Sequence, residues 1–295
     1  LYKLKFNNLT LTPGLRYENI ELARDNFGTS DPSRTGANLA SRENKVAIFI
    51  PGMGFNYKVN NVTSIFGGIH KGFSPPGNQA GQESEESINY ELGSRFNING
   101  LRGEVIGFYN DYSNLLGSDL AASGGTGSLE QFNAGEVQVK GIELLLNYDL
   151  LKNNASYALP ISFGYTFTDT AFLNSFGSDD GLWGEVNKGD ELPYIAKHQF
   201  NTSITLEHAS YEFSIGGRLN GAFKTIASAD SVNEDNGIQS NFIIDFSGKY
   251  HISKTVSLTS KIINALDKTY AVAKVPAGLR PGHPFGAYVG LQYKF

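Results

Sequence analysis

The chain of 295 residues is long enough for one large all-β domain, and its 20 Phe, 15 Tyr and 34 Gly favour strands and turns over helices. A formal net charge of −5 and the lack of any basic stretch argue against binding to nucleic acid. The absence of Cys excludes disulfides, thiol catalysis and cysteine-ligated metal centres. No apolar run reaches the roughly 18 residues of a transmembrane helix, whereas the half-apolar strands of a membrane barrel remain compatible with this composition.

Apolar and polar residues alternate in one segment after another, which is the period of a two-faced β-strand. The last segment, Pro284–Phe295, shows the pattern most clearly, with Val289 and Leu291 on one parity and Gly290 and Gln292 on the other. The alternating segments in chain order include 9–18, 88–97, 142–148, 156–168, 211–220, 241–250 and 284–295. The sequence therefore predicts an all-β, antiparallel protein with about 13 strands.

Short polar turns and long Gly-rich loops also alternate along the chain. The short turns lie near residues 7–8, 60–61, 97–100, 152–154, 208–210 and 253–254. The long loops are Asp25–Arg42, Gly72–Glu85, Ser113–Phe132, Ala171–Pro193, Ala222–Ile238 and Asn264–Pro284. Outer-membrane barrels have this asymmetry, with short periplasmic turns and long extracellular loops. We therefore predict an up-and-down transmembrane β-barrel whose last strand runs towards the periplasm.

Two further patterns agree with a barrel that has a lipid-facing side and a hydrated lumen. The polar parities carry opposite charges that suit a wet interior, namely Arg16/Glu18, Glu91/Arg95, Glu212/Arg218 and Asp245/Lys249. Aromatic residues lie near the predicted strand ends, as the interfacial girdles of such barrels require. They are Tyr57, Phe73, Tyr109, Tyr112, Tyr148, Tyr194, Tyr250 and Tyr270.

Several longer segments resemble the barrel of TonB-dependent outer-membrane receptors. They are SIFGGIHKGFSPPG (Ser64–Gly77), EESINYELGSRF (Glu85–Phe96), GFYNDYSNLLGSD (Gly107–Asp119), QFNAGEVQVKGIELLLNYD (Gln131–Asp149), IINALDKTY (Ile262–Tyr270) and RPGHPFGAYVGLQYKF (Arg280–Phe295). Within the family, GGIHKGFSPPG and QFNAGEV look most like the ferric dicitrate receptor branch.

The resemblance implies a plugged barrel of about 22 strands that imports a scarce chelate with energy from an inner-membrane TonB complex. Residues 1–295 would form the carboxy-terminal part of the barrel, so we expect the amino-terminal plug, the TonB-contacting box and the first strands to lie upstream. Phe295 and Tyr293 resemble the terminal signal by which such barrels are recognised for assembly. No resident cofactor or metal is expected, since iron would enter only as part of the transported chelate.

A ferric dicitrate complex is anionic, so its site requires Arg, Lys or amide donors at the extracellular end. Gln131 and Arg280 are the first candidates, because Gln131 begins a family-like strand and Arg280 lies near two prolines in the last loop. The other candidates are Lys71, His70, Lys274 and His283, followed by Arg24, Arg34, Arg42, Lys188 and Lys224. For each one, a solvated loop charge or a contact with lipopolysaccharide is the alternative interpretation.

Other functions remain open at this point. A different substrate (another siderophore, cobalamin or a glycan) and a passive porin both suit the same barrel. A soluble all-β carbohydrate-binding protein would require paired carboxylates on a rigid strand face. No nucleophile elbow or zinc-binding HExxH motif occurs in the sequence, so we do not expect an enzyme.

Overall fold

The computed structural model describes residues 2–78, 80–118, 131–133, 135–177, 184–275 and 278–295. Their extended segments are β1 (Leu4–Phe6), β2 (Leu9–Asn26), β3 (Ala40–Lys58), β4 (Thr63–Ser74), β5 (Glu85–Ile98), β6 (Leu101–Ser113), β7 (Leu116–Ser118), β8 (Gln131–Asn133), β9 (Val137–Asp149), β10 (Tyr157–Ala158), β11 (Pro160–Phe172), β12 (Phe176–Gly177), β13 (Glu185–Val186), β14 (His198–His208), β15 (Tyr211–Asn220), β16 (Phe223–Lys224), β17 (Gly237–Ile238), β18 (Asn241–His251), β19 (Val256–Ile263), β20 (Ala271–Ala273), β21 (Arg280–Pro281) and β22 (Gly286–Tyr293). Among the described residues, no helix is long and apolar enough to cross a membrane.

One antiparallel sheet contains the long strands, in the order β1-β2-β3-β4-β5-β6-β9-β11-β14-β15-β18-β19-β22. Each strand pairs with the next long strand of the chain, and β10 continues the line of β11 along β14. This up-and-down arrangement of thirteen consecutive strands confirms the predicted all-β fold and the predicted strand number.

The two faces of the sheet differ in character, because paired residues of neighbouring strands point to the same side. The apolar face carries exposed Leu15, Phe49, Tyr90, Ile215 and Leu291. The polar face carries ion pairs, including Arg16–Glu18 and the cross-strand pairs Arg95–Glu104 and Arg218–Asp245. The face assignments predicted from the alternation are therefore retained along the sheet.

Phenylalanine rings cover glycines directly opposite them in the neighbouring strand. A methyl group added to Gly93 would lie 2.6 Å from Phe66 Cζ, and one added to Gly141 would lie 2.6 Å from Phe108 Cζ. The same pairing occurs at Phe55–Gly67, Phe96–Gly103 and Phe213–Gly248. Because each ring occupies the space that a side chain would fill, these strand glycines are shielded by a cross-strand aromatic residue.

The connections sort as predicted, with tight turns at one end of the sheet and long loops at the other. The long loops contain their own two-stranded sheets, β7–β8, β12–β13, β16–β17 and β20–β21. Several strands extend further into the loops than the alternation predicted, so that β2 ends at Asn26 and β3 begins at Ala40. We refer to the two ends of the sheet as the short-turn end and the long-loop end.

Candidate functional site at the long-loop end

A small hydrophobic core lies at the long-loop end, on the polar face of the sheet. Tyr112, Val137 and Phe172 form a row across β6, β9 and β11, and the latter two are fully buried. Loop side chains pack against this row, namely Leu115, Phe176, Val186, Leu192 and Ala227. The loops are therefore anchored on a structured base.

Tyr112 was predicted to belong to a membrane-interface girdle, and this assignment is wrong, because its strand parity directs the ring to the polar face.

A series of ion pairs runs from the apolar face of the sheet into the loops. Lys140 and Lys197 each lie 3.5 Å from Asp169, and Lys197 also lies 2.9 Å from Glu191. Glu191 Oε1 lies 3.1 Å from the Nζ of Lys224, whose side chain is only 3% exposed. The hydrogen bond from Lys197 to Glu191 is the main cause of the raised pKa of Lys197, which stays protonated at neutral pH. Lys224, a candidate from the sequence, is thus already neutralised within the protein.

His70 and Lys71 are neighbours in β4 and therefore point to opposite faces. His70 pairs with Gly52 and Asn89 on the polar face, where it is exposed. Lys71 lies on the apolar parity, and its Nζ is 2.6 Å from Glu86 Oε2. The structure therefore directs His70, and not Lys71, towards the side on which a barrel would hold a ligand.

Three other predicted residues belong to the last long loop. Arg280 is exposed in β21, and His283 is exposed three residues further on. Lys274 Nζ donates to the carbonyl oxygens of Glu234 and, at 2.8 Å, Asp235, so its charge is used to hold a neighbouring loop. The side chain of Gln131, at the start of β8, lies outside the described part of the chain.

Two arginines meet at the long-loop end of β2 and β3. Arg24 and Arg42 are directly opposite each other, on the polar parity that also carries Arg16 and Glu18. Both residues were among the cations that the sequence nominated, and the register of β2 with β3 brings them together near the strand tops.

A polar cavity of about 560 Å³ lies at the short-turn end of the polar face. Lys58, Arg95 and Arg102 contribute three cationic groups to its wall, and Glu104 contributes one anionic group. Arg95 is paired with Glu104 and lies 4.8 Å from the ring centroid of Phe66. Lys58 and Arg102 leave the wall with an excess of positive charge.

Aromatic residues form two rows on the apolar face, one at each end of β11 and β14. Near the short-turn end, the rings of Tyr157 and His208 stack at 5.0 Å. Near the long-loop end, His198 lies 5.3 Å from Phe167 and accepts or donates a 2.9 Å hydrogen bond with the Tyr165 hydroxyl. Ten residue steps from Tyr157 to Phe167 span about 33 Å of strand, or about 25 Å across a bilayer at a tilt of about 40°. The spacing matches the apolar band of an outer-membrane barrel.

The sequence signals identified the cations but not the residues that connect the loops. Glu191, Tyr194 and Asn264 each bond groups in other segments, and Asn264 is completely buried. Tyr194 was predicted to be a girdle residue, which is wrong, because its hydroxyl is bonded inside the loops. Glu191 and Tyr194 carried no signal in the sequence, because their partners are distant along the chain. Asn264 had one signal, its position in the family-like segment IINALDKTY.

The TonB dependent receptor-like, β-barrel family model matches residues 2–265 of the chain. The chain belongs to this family. The match extends over nearly the whole sheet and agrees with the up-and-down topology and the long loops at one end. Among curated proteins, the chain is 26% identical over 297 residues to the ferric-pyoverdine BN7/BN8 receptor of Pseudomonas putida, covering 98% of the chain and 33% of that receptor.

Two solved structures, a siderophore receptor and a ferric citrate transporter, have the same fold. The siderophore receptor PiuA from Acinetobacter baumannii superposes with a TM-score of 0.74 at 18% identity, covering 98% of this chain and 41% of that one. The ferric citrate transporter FecA in its unliganded form gives a TM-score of 0.75 at 17% identity, covering 99% of this chain and 44% of that one. The chain therefore spans a third of the curated relative and less than half of these solved chains.

Proposed function

We propose that the chain is the carboxy-terminal part of an outer-membrane receptor that imports an anionic ferric chelate with TonB-supplied energy. The family match over residues 2–265 carries this proposal. The relatives support iron as the cargo, because their names refer to ferric pyoverdine, a siderophore and ferric citrate. Transport, and not catalysis, is the activity that these similarities favour.

The apolar face supports placement in a bacterial outer membrane. Its two aromatic rows, at Tyr157 with His208 and at Phe167 with His198, are separated by the thickness of a hydrocarbon layer. Beyond the aromatic row at the long-loop end, the same face carries charged residues, Lys140 and Asp169. Aromatic rings followed by charges are expected where the lipid headgroups begin, and lipid and lipopolysaccharide would be the partners of this surface.

The polar face supports an anionic ligand at the long-loop end. The register of β2 with β3 places Arg24 and Arg42 opposite each other there, and His70 lies further down the same face. A guanidinium group can bind a carboxylate through two parallel hydrogen bonds, which suits a dicitrate complex. Arg280, His283 and Gln131 remain predicted contacts from the last loop and from β8. Lys71 and Lys274 are the weakest of these predictions, because Lys71 pairs with Glu86 and Lys274 donates to carbonyl oxygens of a neighbouring loop.

The cavity at the short-turn end suits the plug that the family resemblance implies. Its surplus of positive charge, from Lys58 and Arg102, would pair with acidic groups of an amino-terminal domain inside the barrel. The same upstream region would carry the segment that contacts the TonB complex.

The substrate can be tested in the complete receptor, expressed in a strain that lacks its own ferric chelate receptors. Uptake of radioactive iron is measured with ferric dicitrate and with ferric pyoverdine, and uptake of radiolabelled cobalamin and of a radiolabelled glycan is measured in parallel. We expect uptake of ferric dicitrate that stops when the proton gradient is collapsed, whereas a passive porin would continue to transport. Because the curated relative is a ferric-pyoverdine receptor, a larger siderophore is the second candidate substrate.

The arginine pair has a matched control in the same strands. We expect R24Q and R42Q each to weaken chelate binding about tenfold or more, because a charge-assisted hydrogen bond is lost. Lys45 lies at a similar height in β3, but on the opposite parity and paired with Glu21 at 2.7 Å, so K45Q should leave binding unchanged. Equal effects of K45Q and R24Q would show that only the overall charge matters and would reject this site.

A further inference from the structure

Residues 190–194, which we call the linking segment, contact three different parts of the long-loop end. Two hydrogen bonds join the segment to β11. The Phe172 N–H donates to Asp190 O at 2.8 Å, and the Leu192 N–H donates to Thr170 Oγ1 at 3.0 Å. Both bonds fix the segment over the polar face, where Leu192 packs against the loop core. The start of the linking segment is therefore part of the sheet's rigid base.

The same segment binds the loop between β15 and β18 through its backbone and a carboxylate. Glu191 N–H donates to Ser228 O at 3.0 Å, and Tyr194 N–H donates to Lys224 O at 2.7 Å. The carboxylate of Glu191 adds the 3.1 Å ion pair with Lys224, whose ammonium group also donates to Ser228 O at 2.7 Å. Buried and hydrogen-bonded on several sides, this contact holds the second loop in one position.

Tyr194 extends the segment to the loop between β19 and β22. Its hydroxyl donates to Val275 O at 2.6 Å and accepts from Val275 N–H at 3.0 Å. Its backbone has a φ of 62°, a left-handed conformation that a non-glycine residue adopts only where its surroundings require it. Lys274 of the same loop donates to Asp235 O at 2.8 Å in the loop between β15 and β18, which closes the set of contacts.

We propose that the linking segment joins these three loops into one wall that responds to ligand as a single body. In this proposal Tyr194 is a positioning residue for the last loop, which carries the predicted contacts Arg280 and His283. The first two long loops have their own supports, since residues 27–39 fold around the Asp31 carboxylate and Asn44 donates to the carbonyl oxygens of Gly77 and Gln82. The ligand-linked part of the proposal rests on the transport function proposed above.

The coupling can be tested by hydrogen exchange in the complete receptor with and without ferric dicitrate. Y194F removes only the hydroxyl, so we expect the Val275 amide to exchange about fivefold faster, or more, while residues 222–228 keep their protection. E191Q should have the complementary effect, loosening residues 224–228 and leaving Val275 protected. Y288F is the matched control, because the Tyr288 hydroxyl hydrogen-bonds within its own loop, to His283 at 3.3 Å, and not to Val275.

Ligand binding distinguishes a positioning role from a general loss of structure. In the native receptor, all three loops should gain protection at saturating ferric dicitrate. In Y194F the last loop should gain less protection at saturation than the other two loops. The apparent Kd should rise while the maximal uptake rate at saturation stays unchanged, because fewer molecules hold the binding-competent arrangement.

Three outcomes would overturn the proposal: unchanged exchange at Val275 in Y194F, an equal effect of Y288F, or a native receptor in which ligand protects one or two of the three loops and leaves the rest unchanged. If the receptor binds no ferric chelate, the proposed function fails, whereas exchange in the free protein still decides whether the loops are coupled. The proposed coupling would also be contradicted if exchange in Y194F became faster to the same extent in all three loops, since that result indicates general unfolding.

Discussion

The pairing of Phe96 with Gly103 gives a sharp test of how this sheet is held together. Gly103 of β6 lies directly opposite Phe96 of β5 on the apolar face. A methyl group added at Gly103 would lie 2.7 Å from Phe96 Cε1 and 2.8 Å from Leu146 Cδ2, distances at which carbon atoms repel. The Leu146 methyl is the end of a flexible side chain and can rotate, whereas the Phe96 ring must leave its place over the strand. G103A should therefore destabilise the sheet.

The size of the effect follows from two opposing terms. Overpacking costs about 1–3 kcal/mol, and the smaller conformational entropy of an unfolded chain with Ala returns about 0.4–1 kcal/mol. We expect G103A to lower the free energy of unfolding by about 0.5–2 kcal/mol. Gly107 lies on the same face of the same strand, but a methyl group there would meet only Leu92 O, at 3.9 Å. G107A should therefore be neutral or slightly stabilising.

The complete receptor is unfolded with urea in detergent. The folded fraction at each urea concentration is measured by electrophoresis without heating, because a folded barrel and a heat-unfolded one differ in mobility. F96A lowers stability by itself, but in that background the additional cost of G103A should disappear, since the obstructing ring is absent. The reasoning is refuted if G103A and G107A have the same effect, or if the cost of G103A persists in F96A.

Three further predictions concern the end of the chain and the loops. Deletion of Phe295 should reduce the amount of folded receptor in the outer membrane more than chelate binding per folded molecule, because Phe295 resembles an assembly signal; quantitative blotting beside a binding assay measures both. N264A should cost about 1–3 kcal/mol and expose the last loop to proteases, because the Asn264 amide donates to Lys268 O and His283 O at 2.9 and 3.0 Å; unchanged trypsin cleavage there would contradict this. Asp31 has a pKa below 3.8, chiefly because the Thr35 N–H donates to it, so its stabilisation is present above pH 3.8 and is lost as the pH falls through the lowered pKa. Pepsin should accordingly begin to cleave residues 27–39 only below pH 3.8, and D31N should show no such step.

The strands and their faces were predictable because alternation is a local property of the sequence. The segment predicted at 211–220 coincides with β15, and its apolar parity forms the apolar face. The order of the sheet was also predictable, since an up-and-down barrel pairs each strand with the next. In these respects the fold needed no information beyond neighbouring residues and loop lengths.

The cross-strand contacts were not predictable, because they depend on register. Phe108 covers Gly141, which is distant in sequence, and only the pairing of β6 with β9 brings them together. The many glycines of the sequence favoured strands and turns, but no local signal identified the glycines inside strands that a phenylalanine ring covers.

The candidate site was predictable in composition but not in arrangement. The sequence nominated Lys224 as an exposed cation, whereas the structure buries it against Glu191, a residue that carried no local signal. Arg24 and Arg42 become a pair only through the register of β2 with β3. Charge and loop position alone could not identify Lys224 as a cation that maintains the loops.

The two halves of the long-loop end also differ in what holds their cations. On the side of β11 to β22, Lys224 is bound by Glu191 of the linking segment and Lys274 by carbonyl oxygens of the loop between β15 and β18, so both cations maintain the loops. On the side of β2 and β3, the loop of residues 27–39 is held by its own Asp31, and Arg24 and Arg42 lie opposite each other near the strand tops. These two arginines belong to strands outside the wall that the linking segment joins. It follows that Y194F and R24Q should impair binding independently, with effects on the apparent Kd that multiply. A strongly non-additive double variant would show that the two sides form a single site.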